Sequence, residues 1–458
     1  MADLEGETTE LLSQLIRNAC INDGTPDSGH ESVSADLLAS YLDVPGLELQ
    51  RFEPHPGRVS LLARLEGADE HAPTLMLMGH TDVVPANPHG WVRDPFGGEV
   101  VDGEVWGRGA VDMLSLTASM AVATRHLATG ATGARVATRP RGTVLYLAVA
   151  DEEAGGRLGA EWLAQHHPDA IRCDYVVTEP GLFRMPLPAA TPGGPLRLPV
   201  TVAEKGAYWC TINVEGSPGH GARPLRTDNA VVKAAEIVSR LAAFRPEAHI
   251  PAVWRRFVEG MDLSAEDTAA LVDARRIGDI AERHPLAPWA GMAHACTHTS
   301  IAPTVLRGGV KRNVIPDAAE IQLDIRTLPA HGGDEVQAML RDALGDLWDS
   351  VRLTVDFDAP PTESTTDSPL WEALSRATSA LLPTAQGSVL VPFLAAGQSD
   401  ARFFRMMGAT AYGFGLYSDR LSFADFATMA HGDNERIDAE SLRRCAELWP
   451  LLVWELLK

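Results

Sequence analysis

The stretch "PTLMLMGHTDVV", residues 73–84, decides the fold. Its short apolar run reads as a buried strand that ends on His80 and Asp82. Side chains in a strand alternate, so an H-x-D pair presents both groups to one face. Strand-like runs recur at "RVSLLARLEG" (58–67), "GTVLYLAVADEE" (142–153) and "CDYVVTEPG" (173–181). Helical patterns stand between them, at "DMLSLTASMAVATRHL" (112–127) and "RLGAEWLAQHH" (157–167), and an earlier one lies at 8–20. This alternation predicts an α/β fold, a mixed, mostly parallel sheet flanked by helices.

The Gly/Pro-rich stretch 181–199 interrupts the rhythm as a linker would. Beyond it, strand signals at 200–216, 304–309, 320–329 and 351–358 and helical ones at 228–244 and 334–344 read as a separate α+β unit. A loosely patterned insertion at 246–297, with Trp254, Trp289 and Met292, reads as core or as added dimer surface. Strand and helix signals resume at about 362 and end in the amphipathic 439–457. One unit is therefore expected inside another: residues 1–198 with 362–458, and 199–361 inserted.

Composition excludes several classes. With 61 acidic against 39 basic residues the formal charge is −22, which repels polyanions, so nucleic acid and anionic lipid are not expected partners. The acidic start "MADLEGETTELL" lacks the basic and apolar regions of a secretory signal, and no apolar run approaches membrane-spanning length. A cytoplasmic protein without membrane contact is expected. The five cysteines are widely separated and form no C-x-x-C pair, so free buried thiols are expected.

Chemistry concentrates at strand ends. Asp82 is placed to orient the His80 imidazole, as a carboxylate behind a metal-ligating histidine does; a hydrogen-bonded loop histidine is the plain alternative. Asp151, Glu152 and Glu153 crowd three carboxylates after one strand, where a solvated helix start would also suit them. Glu179 ends another strand before Pro-Gly and would equally serve as a turn carboxylate. All of them fall at carboxyl ends of strands, where open α/β sheets place their ligand crevice. The glycines of "WGRGAVDM" (106–113) tolerate unusual backbone angles and can deliver Asp112 from a loop to that crevice. A carboxylate with two oxygens can bridge two metals.

In order along the chain, "MGHTDVVP", "WGRGAVDM", "ADEEAGG", "TEPG" and "HGDNERI" resemble the motifs of the dinuclear zinc aminoacylase/carboxypeptidase metallohydrolases. That family includes acetylornithine deacetylase, succinyl-diaminopimelate desuccinylase, aminoacylase and glutamate carboxypeptidase. The resemblance implies a zinc-peptidase-like catalytic domain with an inserted lid or dimerisation domain. It implies two Zn²⁺, with Co²⁺ or Mn²⁺ as possible substitutes: one held by His80, Asp112 and Glu179, the other by Asp112, Glu153 and His431. Glu152 becomes the general base that takes a proton from the water between the metals, and Asp82 braces His80. Four carboxylates gathered together would be largely neutralised by two dications and would destabilise the chain without them.

The same resemblance assigns further residues. His220 in "EGSPGHGARP" matches a histidine that reaches a neighbouring subunit's site to stabilise an oxyanion, which implies a homodimer formed through the inserted domain. Asn313 and Arg326 match groups that bind the substrate carboxylate; an ordinary salt bridge is the alternative for Arg326. Ser399 and Asp400 lie in "AAGQSDARFF", a substrate-side loop usually written Gly-Gly-Thr-Asp, and Leu114-Ser115 replaces a common Lys-Gly. His30, His89, His294 and His298 match no metal motif. The implied substrate is an N-acyl-L-amino acid or a short peptide with a free carboxylate. A dipeptidase or carboxypeptidase that takes a free amine, and a catalytically silent binding protein, are the rival readings.

Overall fold

A computed structural model describes residues 3–130, 139–181, 194–278, 280, 287–382 and 387–458. Its strands are β1 (Leu47–His55), β2 (Arg58–Leu65), β3 (Leu75–His80), β4 (Val144–Val149), β5 (Tyr175–Thr178), β6 (Leu196–Glu204), β7 (Gly206–Glu215), β8 (Ser300–Gly308), β9 (Ala318–Thr327), β10 (Val351–Ala359), β11 (Thr362–Glu363), β12 (Ser388–Ala395) and β13 (Thr410–Gly413), with five further strands of two or three residues among the described residues.

Nine of these strands form one sheet in the order β1-β2-β4-β3-β5-β13-β6-β11, with β12 paired to β6. Its centre, β4-β3-β5-β13, is parallel, and β1, β2, β6 and β11 add antiparallel pairings. Every residue of β3 and β4 is buried, as strands covered on both faces require. Helix Leu114–Thr129 covers one face closely enough that a Cβ on Gly79 would lie 2.3 Å from the Thr117 hydroxyl. The glycine before His80 thus lets sheet and helix meet.

A second large sheet is four-stranded and antiparallel, β8-β9-β7-β10, with helices Ala230–Ala243 and Gly333–Leu344 packed on one face. Its other face is largely uncovered. The expected boundary at 199 falls inside β6, which belongs to the large sheet; the chain leaves that sheet only at Lys205. The strand signal at 200–216 runs across Glu204-Lys205-Gly206, where the chain in fact breaks into two strands.

The insertion at 246–297 returns to the large sheet. Trp254, Phe257, Leu271 and Cys296 join its core, and Phe257 meets Phe393 of β12 at 5.2 Å. Part of this insertion therefore supplies core; Met292 packs against it, and the Trp289 side chain lies outside the described residues. Four of the five cysteines are buried, the fifth partly, and all are free thiols. Among the described residues no helix is long and apolar enough to cross a membrane.

Candidate active site

The carboxyl ends of β3, β4 and β5 deliver His80, Glu152 with Glu153, and Glu179 to one crevice. Asp112 enters from the 107–113 turn and His431 from the turn after helix Phe423–Met429. His80 Nε2 stands 3.3 Å from Asp112 Oδ1 and 3.4 Å from Glu179 Oε1. On the other side of the same carboxylate, His431 Nε2 stands 3.3 Å from Asp112 Oδ2 and 3.1 Å from Glu153 Oε2. Asp112 thus lies between two imidazoles, one oxygen turned to each.

Electrostatics follow from this crowding. Burial opposes charge on His80, yet Glu179 and Asp112 hold its pKa well above the ordinary histidine value. Hydrogen bonds to Asp112 and Glu153 push His431 up to about 10. Burial, and then the Asp112 charge, raise Glu179 to about 8. Burial and the neighbouring Glu179 carry Glu152 well above the carboxylate range. Burial also works against Asp112, but its hydrogen bonds to His431 and His80 hold it well below that range. The imidazoles balance charge here as dications would.

The buried scaffold behind these groups differs from the sequence expectation in one respect. His80 Nδ1 lies 2.9 Å from the backbone carbonyl of Asp82 and 3.7 Å from its carboxylate. That carboxylate instead accepts from Glu152 N (3.3 Å), Glu153 N (3.1 Å) and Asn22 Nδ2 (2.9 Å). Two amides at the start of a helical turn are orphan donors that attract an anion more strongly than a ring two residues away. Asp82 therefore fixes His80 with its main chain and the Glu152–Glu153 turn with its side chain.

The residue before that turn, Asp151, is held at φ 68°. Arg58 grips Asp151 at 2.6 Å and Glu31 with two bonds of 2.8 Å, all three side chains being buried.

Glu435, absent from the sequence expectation, holds the Asp112 turn. Its buried carboxylate accepts from the amides of Gly109 (2.9 Å), Val111 (2.7 Å) and Asp112 (2.9 Å), and from Arg108 Nη1 (2.9 Å). The signal was present within "HGDNERI", and also in the question of where the amides of a glycine-rich buried turn find acceptors. Gly109, at φ 88°, supplies the backbone angle the turn needs.

A cavity of about 310 Å³ opens onto the cluster. Ser399 lines it and donates to Glu204 at 2.6 Å. Asp400 does not: both its oxygens are buried, without a hydrogen-bond partner among the described residues. Arg326 lines the cavity and pairs with Asp324, through Nε (2.7 Å) and Nη2 (3.1 Å), the salt bridge named as its alternative role. His220 and Asn313 lie elsewhere, exposed on a small ribbon in which His220 pairs with Val314. His298 is buried with Nδ1 near Thr297 Oγ1, while His30 and His89 are exposed.

Fold and crevice together define a metal-dependent hydrolase of amide bonds, with a catalytic domain and an inserted domain. Residues 76–455 match peptidase family M20/M25/M40, and the chain belongs to that family. Mouse (Mus musculus) aminoacylase-1 is 26% identical over 97% of this chain and 94% of its own. Among solved structures, the M20 family metallo-carboxypeptidase of Sulfolobus solfataricus aligns with a TM-score of 0.71 at 17% identity, covering 100% of this chain and 99% of that one. Human carnosine dipeptidase 1 aligns with a TM-score of 0.69 at 17% identity, covering 99% and 96%.

Proposed function

We propose that this protein removes the acyl group from N-acyl-L-amino acids, using two divalent metals, zinc by preference with cobalt or manganese as substitutes. The observation that carries this reading is the Asp112 carboxylate divided between His80 and His431. The residues fit a metal pair: donor atoms 3.1–3.4 Å apart have the spacing of neighbouring ligands around one small cation, since bonds of about 2.0–2.2 Å set tetrahedral ligands roughly 3.3 Å apart. Glu153 Oε1 is buried without a partner among the described residues, another oxygen suited to a cation. His80, Asp112 and Glu179 would hold one metal, and Asp112, Glu153 and His431 the other.

When bound, the metals polarise the substrate carbonyl and acidify a water molecule. Glu152 takes the proton of that water and returns it to the departing amine; burial beside Glu179 raises its proton affinity toward that task. Arg326, with two donors held by Asp324, keeps Nη1 for the substrate carboxylate. The Ser399 hydroxyl lines the substrate side of the cavity.

We also propose a homodimer through the edge strand β8 and helix Ala230–Ala243, where Val231, Val232 and Leu306 are exposed, with Val310 and Val314 exposed in the segment after β8. Such a dimer gives His220 and Asn313, which do not line their own chain's cavity, a place at the partner's site. Zinc- or cobalt-loaded protein should hydrolyse N-acetyl-methionine; turnover of Ala-Ala or Gly-Gly alone would replace the acylase reading with a dipeptidase.

A further inference from the structure

The cavity is walled unequally. The catalytic side contributes carboxylates, the His431 imidazole, the Arg402 guanidinium, an amide, a hydroxyl and small residues, whereas the inserted sheet contributes Arg326, Trp209 and Phe357. The two rings are the large apolar surfaces of the cavity. They stand side by side because Trp209 of β7 is paired with Phe357 of β10 on one flank and with Asp324 of β9 on the other. This row of side chains lies on the sheet face opposite the one covered by helices. Ring centroids are 5.0 Å apart with planes inclined at 37°, which makes a continuous bent wall.

Trp209 remains 39% exposed, a large ring left bare inside a cleft. Its Nε1 already donates to Asp324 at 3.1 Å, so the indole offers a partner only its apolar faces. Two guanidinium groups flank the wall: Arg326 is 5.8 Å from the Trp209 ring centre, and Arg157, from the catalytic side, is 5.6 Å from that of Phe357.

We propose that Trp209 and Phe357 determine specificity by packing against the side chain of the substrate's amino acid, and that the enzyme selects aromatic side chains there. This rests on the N-acyl-amino-acid reading above and names its substrate class. A carboxylate gripped by Arg326 has its α-carbon one bond away, next to Trp209, while the acyl group extends toward Glu152 and the metal ligands. The amino-acid side chain, not the acyl group, therefore meets the wall. An aromatic ring gains edge or offset stacking there beyond what an aliphatic chain of equal area gains.

The test measures kcat/KM of the metal-loaded enzyme for N-acetyl-phenylalanine, N-acetyl-alanine, N-acetylglycine and N-benzoylglycine, in wild type, W209A, F357A and W209F. We expect N-acetyl-phenylalanine to be preferred over N-acetyl-alanine by about 10-fold or more. W209A and F357A should erase that preference, the loss on N-acetyl-phenylalanine exceeding that on N-acetyl-alanine by about 10-fold, and W209F should restore most of it. Equal losses on both substrates, no preference in the wild type, or a gain for N-benzoylglycine over N-acetylglycine would overturn the proposal.

Calorimetric binding of the two N-acetyl amino acids separates this failure from failure of the reaction. With no hydrolysis, the reaction reading falls, yet tighter binding of the phenylalanine compound that W209A abolishes sustains the wall. Equal or absent binding removes the wall as well.

Discussion

The two walls of the cavity are built on opposite rules. On the catalytic side much of the cluster is gripped from behind: His80 by a main-chain carbonyl, the Glu152–Glu153 turn by Asp82, and the Asp112 turn by Glu435. His80, Asp82 and Glu435 are 1%, 0% and 0% exposed. Across the cleft Trp209 is 39% exposed and stands on the sheet face opposite the one its helices cover. Chemistry needs donor atoms fixed to fractions of an ångström, whereas choice among substrates needs only a surface of the right kind. The inserted sheet can change its wall residues without disturbing the fold of the other side.

The largest test of that contrast is to remove the chemistry alone. Glu152→Gln should lower kcat by about 10³-fold or more at saturating zinc, while metal content measured by emission spectroscopy stays at the wild-type value. Chelation should abolish activity to the same degree, and added zinc should restore it. Unchanged kcat in the glutamine variant would remove Glu152 from the reaction.

A smaller loss, of a different kind, is expected one layer back. Glu435→Gln weakens the grip on the Asp112 turn without touching substrate, so the zinc concentration for half-maximal activity should rise about 10- to 100-fold. Activity should return at high zinc, which a loss of general-base chemistry would not allow. If kcat falls and added zinc does not recover it, Glu435 is not acting through metal placement.

On the opposite wall the effect belongs in KM. Arg326→Lys keeps the charge but loses the planar fork held by Asp324, and KM should rise by about 10-fold with kcat nearly constant. A fall in kcat with unchanged KM would place Arg326 with the chemistry and erase the contrast between the walls.

Much of the catalytic wall was legible in the sequence, and much of the other was not. His80, Glu152, Glu153 and Glu179 follow or end apolar strands, and a short apolar run with a sharp polar stop is visible in one chain. Asp112 and His431 follow from glycine-containing motifs. What escaped depends on pairing across elements distant in sequence. Arg58 meets Asp151 across 93 residues and Glu435 meets the Asp112 turn across 323. Trp209 and Phe357 share a face only because of a register that a one-residue slip would reverse. The break at Lys205 was hidden because it lies inside 200–216, which reads as a single strand signal.

The least dramatic prediction reads the catalytic wall without turnover. In metal-free protein the folded state holds protons that the unfolded chain has released. Glu179 is raised from 4.5 to about 8 by burial and by Asp112, and Glu435 to about 7 by burial. His431 is raised from 6.5 to about 10 by its hydrogen bonds to Asp112 and Glu153, though its exposure makes its contribution the weaker one.

All three shifts have the same sign. Groups that bind protons more tightly when folded stabilise at low pH and lose that contribution as pH rises through their folded values. Asp112 works oppositely, but only in acid below its ordinary value of 3.8; His298 and His331, lowered by burial, only below 6.5; and Lys205, lowered from 10.5 to about 8 by burial, only above pH 8. Between pH 6.5 and 8 the melting temperature of the chelated protein should therefore fall, by roughly 5 °C. The zinc-loaded protein should gain on it throughout, because metal replaces those protons and competes with them less as pH rises. A chelated protein whose melting temperature stays flat or climbs over that window would mean that these carboxylates and His431 are not crowded as the cavity floor has them.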